Sequence, residues 1–189
     1  MTAPSRSEQL AASIIGSLEV AAVVLGDRLG WYADLDRAGP STAGELAART
    51  GTDPRYAREW LEHQAVSGYL VVDDVAAAPE DRRYTLPGEL RGLLVDPLDE
   101  GHLLPVARLT TALTRAVPQL VDVYRGRRTL NWADLEDDAR EGQAAGNRPY
   151  FLGSLATDLA AVPGVAAALD AGVDVLPIEH DLFRFYRLA

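Results

Sequence analysis

The sequence contains no cysteine and only three histidines among its 189 residues. Without cysteine the chain can form neither a disulfide bond nor a thiolate metal ligand, which excludes disulfide scaffolds and zinc–cysteine sites. The histidines, His63, His102 and His180, lie far apart in sequence and share no spacing typical of a metal site, so a structural role is the simpler interpretation of each. The sequence therefore predicts no metal centre.

Motifs of several enzyme classes are also missing. There is no G-x-S-x-G nucleophile turn, no phosphate-binding P-loop and no G-x-G-x-x-G dinucleotide turn. Carboxylates cluster in EDDAREGQ at 136–143, but acidic residues at the start of a solvated helix explain that cluster equally well. The motif inventory by itself thus identifies no catalytic residue.

Positive charge is scarce, since 18 lysines and arginines stand against 28 aspartates and glutamates, a net charge of −10. Nucleic-acid binding needs a concentrated positive surface, so general affinity for nucleic acid is not expected. No uninterrupted run of 18 apolar residues and no apolar segment with a small-residue cleavage site is present, so we expect neither a membrane span nor a secretory signal. A cytoplasmic location is the natural interpretation.

Residues 41–70 have the pattern of a helix-turn-helix. Ser41 is placed to cap a first helix and Gly51 to end it, and Asp53 followed by Pro54 is a favoured start for a second helix. The residues expected to face inward from the second helix are Ala57, Trp60, Leu61 and Ala65. Two short helices joined by a tight glycine turn are typical of this motif.

Two extended runs, 69–74 and 82–87, flank a loop after these helices and predict a small β-hairpin wing. The expected fold is therefore mainly α: a helical dimerisation region with a winged helix-turn-helix. Residues 1–97 are expected to form the N-terminal helix and the winged helix-turn-helix domain. Residues 98–172 are expected to form a helical linker or lid region, with its helices kinked or broken at the two prolines Pro105 and Pro118.

The first predicted helix, 7–29, carries apolar residues at spacings of three and four, with further apolar residues on its flanks. A helix apolar on so many sides is expected to be buried against more than one partner. The helices predicted within 100–125 carry a similar excess of apolar surface. The sequence therefore predicts a homodimer that forms through 7–29 and 100–125.

If the winged helix read DNA, the contacts would come from four arginines, Arg55, Arg58, Arg82 and Arg83. Between Ser41 and Leu86, however, five arginines stand against eight acidic residues, a net charge of 5 − 8 = −3. A DNA-reading surface has the opposite balance. Use of the winged helix for packing and dimerisation is therefore the favoured interpretation, and nucleic acid is not the expected partner.

Three stretches together carry a resemblance to a known family: LGDRLGWYADL, STAGELAARTGTDPRYAREWLEHQAVSGYL and EGQAAGNRPYFLGSLATDLAAVPGVAAALDAGVDVL. They resemble the N-terminal half of bacterial S-adenosylmethionine-dependent methyltransferases, in particular actinobacterial proteins described as methyltransferases or transcriptional regulators. The resemblance implies that the N-terminal helices and the winged helix mediate dimerisation and cover an active site. It also implies a C-terminal Rossmann-like domain that binds S-adenosylmethionine and a small-molecule substrate.

In that family VDVL, here at 173–176, would lead into a D-x-G-x-G-x-G turn of the cofactor site. In this sequence it leads into PIEHDLFRFYRLA, which is similar to the last strand of the family. The resemblance therefore implies that 173–189 holds two remnant strands of a largely missing α/β domain. Because isolated strand pairs are marginal in water, we expect this segment to be poorly ordered, or docked on the helices or across a dimer.

On this interpretation we expect no catalytic residue, no bound cofactor and no methyltransferase activity. Tyr150 and Phe151 would at most line the lip of the family's cofactor pocket. Asn147 and Arg148 are better explained as the first turn of a helix that begins at Pro149.

Three functions stay open at this point. The favoured one is a non-catalytic dimerisation module derived from a methyltransferase-like protein. The second is a winged-helix transcriptional regulator that binds DNA. The third is a small-molecule methyltransferase that depends on a cofactor domain supplied by a partner chain.

Overall fold

The computed structural model describes residues 4–172, so the expected remnant strands at 173–189 lie outside the described residues. The chain divides into two compact units, Met1–Val95 and Asp96–Ala189. The described part of each unit is mostly helical, and the single small sheet belongs to the first unit. The mainly α fold with a winged helix-turn-helix is therefore confirmed for the described residues.

The first unit contains five helices and a two-stranded sheet in its described part. In chain order they are α1 (Arg6–Arg28), α2 (Trp31–Ala38), α3 (Ala43–Thr50), α4 (Pro54–Val66), β1 (Val71–Val72), β2 (Tyr84–Thr85) and α5 (Arg91–Leu94). The strands are antiparallel, with Val71 opposite Thr85 and Val72 opposite Tyr84. The helix-turn-helix is α3 and α4, and the hairpin is the wing.

Two of the sequence signals for this motif act as expected. Gly51 ends α3 in the left-handed conformation, with a φ of 68° that only glycine adopts at little cost. Asp53 caps α4, because its carboxylate accepts a hydrogen bond of 2.8 Å from the backbone N–H of Arg55. The turn between the two helices is therefore set by local chemistry.

The expected cap of α3 is wrong by one residue. The capping residue is Thr42: its hydroxyl accepts the N–H of Glu45 at 3.2 Å, and the Glu45 carboxylate accepts the N–H of Thr42 at 3.0 Å. This reciprocal pair is a capping box. Ser41 instead exchanges backbone hydrogen bonds with Tyr84 in both directions, at 3.0 and 2.9 Å. Because the backbone of Ser41 is paired with the wing, Thr42 caps α3 instead.

The core of the first unit is built around Trp60 on α4. Its ring lies 4.8 Å from that of Trp31 and 5.1 Å from that of Tyr32, centroid to centroid. Its indole N–H donates to the carbonyl of Ala22 at 2.8 Å, which ties α4 to α1. α1 approaches closely here because Gly26 has no side chain: a Cβ at that position would lie 2.1 Å from a Trp60 ring carbon. A glycine in mid-helix is thus required by packing.

The expectation that α1 is buried on several sides is wrong for the isolated chain. Only Val23 and Gly26 of this helix are buried. Leu10, Ile14 and Leu18 are between 54% and 64% exposed, and the neighbouring Ile15 and Leu25 are also largely exposed. The C-terminal part of α1 packs on Trp60, whereas its N-terminal part presents apolar side chains to solvent.

Within the described residues α1 is also long and apolar enough to span a membrane, by length and composition alone. Core helices of soluble proteins reach the same length and composition, so this feature by itself does not indicate a membrane span. Glu19 lies near the middle of the helix. A carboxylate near the bilayer centre is strongly disfavoured, so we interpret the exposed apolar surface as a surface for protein contact.

Asp34 on α2 is buried and interacts with two arginines, Arg37 of α2 and Arg49 of α3. Arg49 of α3 donates its Nε to the Asp34 carboxylate at 2.8 Å and a terminal nitrogen to the Ser41 hydroxyl at 2.7 Å. Arg37 pairs with the same carboxylate. Burial by itself would raise the pKa of Asp34, but the hydrogen bonds and charges of Arg49 and Arg37 outweigh burial and hold that pKa below its ordinary value.

Because its pKa is lowered in the folded state, the Asp34 carboxylate makes the stability of the fold sensitive to acid. Its contribution to stability is complete above the unfolded-state pKa of about 3.9 and is lost as the pH falls through the lower folded-state value. We expect Asp34→Asn to lower the free energy of unfolding by about 2 kcal/mol at neutral pH and to flatten its decline below pH 4. Urea unfolding across a pH series measures both effects. An unchanged acid profile in the variant would refute this role.

The second unit contains five helices in its described part. They are α6 (Leu104–Arg115), α7 (Val117–Tyr124), α8 (Asp137–Gly153), α9 (Leu155–Ala161) and α10 (Val165–Asp170). Pro105 and Pro118 lie in the first turns of α6 and α7, where a missing N–H costs nothing. α6 and α8 pack closely, since a Cβ at Gly142 would lie 2.7 Å from the carbonyl oxygen of Pro105.

The interpretation of Pro149 as the start of a helix is wrong. Pro149 lies inside α8, which runs on to Gly153, and it is buried. Asn147 and Arg148 are therefore interior helix residues and not a first turn. Proline in a helix interior removes one hydrogen bond, so its presence in α8 reflects the packing of this unit overriding the local preference.

Candidate functional site

The surface that a winged helix would present to DNA comprises α4 and the wing. Two of its four candidate arginines, Arg82 and Arg58, lie beside carboxylates of α4. Arg82, just before β2, pairs with Glu62 of α4 at 3.4 Å and donates its Nε to the carbonyl of Ala77 at 3.1 Å. Arg58 of α4 lies 3.8 Å from the carboxylate of Glu59. Both guanidinium groups therefore have a carboxylate of the same domain beside them.

The other two candidate arginines lie apart from this region. Arg83 donates to the Glu45 carboxylate at 2.7 Å and to the carbonyl of Pro40 at 3.0 Å, so it joins the wing to α3. The backbone N–H of Thr42 and the guanidinium of Arg83 hold the pKa of Glu45 below its ordinary value. Arg55 is exposed in the first turn of α4. Three of the four arginines thus serve contacts within the domain.

We expect DNA binding by this surface to be weak and without sequence preference. Paired arginines release few counterions from DNA, and the acidic residues nearby repel phosphates. A gel shift at physiological salt measures this, with Arg55→Ala plus Arg58→Ala as the comparison variant. A sequence-dependent shift that the double substitution abolishes would contradict the expectation and support the regulator alternative.

The exposed apolar face of α1 is the second candidate site. Leu10, Ile14 and Leu18 follow one another at intervals of four residues and so form one stripe along the helix, here called the α1 stripe. Single exposed apolar residues are common on protein surfaces, but a contiguous apolar stripe marks a contact surface. The geometry suits another helix, because side chains at this spacing interdigitate with those of a facing helix.

Tyr150 and Phe151, the expected pocket-lip residues, lie near the end of α8. Their rings are in edge-to-face contact, with centroids 5.8 Å apart. The interaction of its hydroxyl with the Asp158 side chain of α9 is the main cause of a raised Tyr150 pKa. The contacts of Tyr150 are therefore with Phe151 and Asp158 of its own unit, and they need no ligand.

The two histidines among residues 4–172, His63 and His102, belong to different units. The ring of His63 lies 3.2 Å from the side-chain nitrogen of Gln64, and His102 lies in the other unit. His180 falls outside the described residues. Within residues 4–172 no group of three or more histidines, aspartates or glutamates is placed to hold a metal ion.

Glu45 and Glu62 are the carboxylate partners of Arg83 and Arg82. The sequence placed Glu45 at the start of the first helix and Glu62 on the outer face of the second, but it did not indicate either ion pair. For Glu45 a signal was present, because the spacing of Thr42 and Glu45 is that of a capping box, which fixes the carboxylate at the start of α3. For Glu62 the partner Arg82 is 20 residues away, and no local pattern indicates the pair.

Comparison with known proteins agrees with this architecture. Residues 17–95 match the family model described as the Rv2258c-like winged HTH domain. The structure of the mitomycin 7-O-methyltransferase MmcR is similar, with a TM-score of 0.58 and 26% identity, over 82% of this chain and 48% of that one. PigF with SAH is similar in fold, with a TM-score of 0.57 and 19% identity, over 86% of this chain and 50% of that one. No curated protein matches the chain.

The winged helix-turn-helix and the likeness to the N-terminal region of methyltransferases are therefore confirmed. The chain spans about half the length of the solved structures that it matches.

Proposed function

We propose that this chain serves as the dimerisation half of an S-adenosylmethionine-dependent, methyltransferase-like protein, and that it does not transfer methyl groups by itself. The observation that carries the proposal is the α1 stripe. A long helix that buries only two of its residues in its own unit gains its stability from contacts with another molecule. Because the stripe is present on every copy, a two-fold pairing of α1 helices buries it reciprocally.

The proposed lack of catalysis rests on the chemistry of the cofactor. S-adenosylmethionine, in the proteins that this sequence resembles, is bound by a Rossmann-like domain with a glycine-rich turn. Within residues 4–172 no such turn is present, and no parallel sheet that could carry one. Methyl transfer to a small-molecule acceptor would require a cofactor domain that the described residues do not supply.

Two alternatives have less support. A DNA-binding regulator would need the four candidate arginines of α4 and the wing, and three of them have carboxylate partners within the domain. The described units are equally compatible with a methyltransferase that uses a cofactor domain from a partner chain. Titration with S-adenosylmethionine in the absence of a partner separates that alternative from an enzyme that is active alone.

We also propose a cytoplasmic location, since the sequence is free of cysteine.

The test of the proposed function is the association state of the chain. We expect sedimentation velocity to show a dimer at micromolar concentration. A monomer throughout that range would contradict the proposal, because the α1 stripe would then be stable in water without a partner.

A further inference from the structure

The side-chain hydroxyl of Tyr84 is a buried polar group without a hydrogen bond. The residue is 1% exposed, and within residues 4–172 no atom completes a hydrogen bond to this oxygen. The backbone of Tyr84 is fixed, because it exchanges two hydrogen bonds with Ser41 and lies opposite Val72 in the wing. The strand therefore holds the side chain in place. Buried hydroxyls nearly always have a partner, since leaving one unpaired is destabilising.

Charged groups of α4 and the wing act on this hydroxyl. Burial is the main cause of the raised pKa of Tyr84, and the Glu62 carboxylate raises that pKa further. The guanidinium groups of Arg82 and Arg58 act in the opposite direction and lower it. Arg82 also lies 3.4 Å from Glu62 and donates its Nε to the carbonyl of Ala77. The hydroxyl thus lies at the junction of α4 and the wing, near one carboxylate and two arginines.

The partner that this hydroxyl can still take is an acceptor. A hydroxyl donates one hydrogen bond, and the guanidinium groups near it offer only N–H donors. Glu62 is close, but its carboxylate pairs with Arg82 and does not accept from Tyr84. Two guanidinium groups and a hydroxyl near one another form a donor set that suits an oxyanion of the phosphate type.

We propose that the junction of α4 and the wing is an oxyanion site, whose donors are the Tyr84 hydroxyl and the guanidinium groups of Arg82 and Arg58. Its ligand is a tetrahedral oxyanion of the phosphate type, either free or in a nucleic-acid backbone. Glu62 competes with this anion, because its carboxylate holds Arg82. The side chains of Glu62 and Arg82 are 36% and 27% exposed, and ion pairs that solvent reaches contribute little. An anion can therefore displace Glu62 at small cost.

Nuclear magnetic resonance of the full chain, labelled with ¹⁵N and titrated with inorganic phosphate at constant ionic strength, tests the proposal. The Nε–H of Arg82 and the backbone N–H of Tyr84 should shift along one saturable curve. Tyr84→Phe should weaken binding by about tenfold, because it removes a hydrogen bond to a charged group. Glu62→Gln should tighten binding by about tenfold, because it removes the competing charge.

Glu80→Gln is the matched control, because Glu80 is an exposed glutamate of the wing loop and the substitution changes the net charge equally. It should leave the dissociation constant unchanged. Equal tightening by Glu62→Gln and Glu80→Gln would overturn the proposal, because general charge would then govern binding. A shift that does not saturate in the parent chain or in the Glu62→Gln variant would overturn it as well, and so would unchanged affinity in Tyr84→Phe.

Circular dichroism shows whether each variant keeps its fold. If Tyr84→Phe loses it, Arg82→Gln provides the second test, since it should abolish the saturable shift of the Tyr84 N–H. Retention of that shift would contradict the proposal.

A gel shift with double-stranded DNA of mixed sequence distinguishes the two sources of the anion. If the site takes a backbone phosphate, Glu62→Gln should strengthen DNA binding without sequence preference, because phosphates carry no sequence information. If the site takes free phosphate, Glu62→Gln should change only the phosphate titration. Neither measurement depends on the pairing of α1 helices.

Discussion

Replacing Gly26 by alanine is expected to lower the free energy of unfolding by about 3 kcal/mol or more. The added Cβ would lie 2.1 Å from one Trp60 ring carbon and 2.7 Å from another. The ring cannot move aside without breaking its hydrogen bond to Ala22 and its contacts with Trp31 and Tyr32. Helix α1 must then separate from α4. Chemical denaturation of the variant and the parent chain measures the loss.

The matched control is Gly16→Ala in the same helix. No atom lies within 4 Å of a Cβ at Gly16, and alanine is favoured over glycine inside a helix by about 1 kcal/mol. This variant should therefore be as stable as the parent or slightly more so. Equal stability of the Gly26 and Gly16 variants would contradict the close approach of α1 to Trp60.

Placing aspartate on the α1 stripe, with Ile14→Asp and Leu18→Asp together, should weaken dimerisation by at least about 100-fold. Each substitution removes an apolar side chain from the proposed interface and introduces a carboxylate there, and two-fold symmetry repeats both changes. Neither residue is buried within its own chain, so the monomer should keep its fold. Sedimentation equilibrium gives the dissociation constant, and circular dichroism gives the helix content.

Val66→Asp is the control for this pair, because Val66 is an exposed apolar residue at the end of α4 in the same unit. It should leave the dissociation constant unchanged. Equal weakening by Val66→Asp and by the α1 pair would show that added charge, and not the α1 stripe, governs association.

The helix-turn-helix could be predicted from sequence because its determinants are local. Gly51 and Asp53 each act on backbone groups within a few residues, so their effect is independent of the rest of the fold. Ser41 was misassigned as a cap since its true partner, Tyr84, is distant in sequence. Pro149 was misassigned for a related reason, because the helix–helix packing of its unit carries α8 through a residue that locally favours a helix start.

The candidate site was less accessible to sequence reasoning. Helical periodicity reports that Leu10, Ile14 and Leu18 share a face, but a face buried in a core and a face buried in a dimer give the same pattern. The availability of the wing arginines depends on pairs such as Arg83 with Glu45, which are 38 residues apart. Charge counting indicated the balance correctly, yet only the fold shows which arginines are engaged.

Isothermal titration of the chain alone with S-adenosylmethionine tests the central claim most directly. The account predicts no saturable heat, since the described units contain no glycine-rich turn or parallel sheet to hold the cofactor. A saturable curve with millimolar or tighter affinity would contradict it and would establish a cofactor site within this chain.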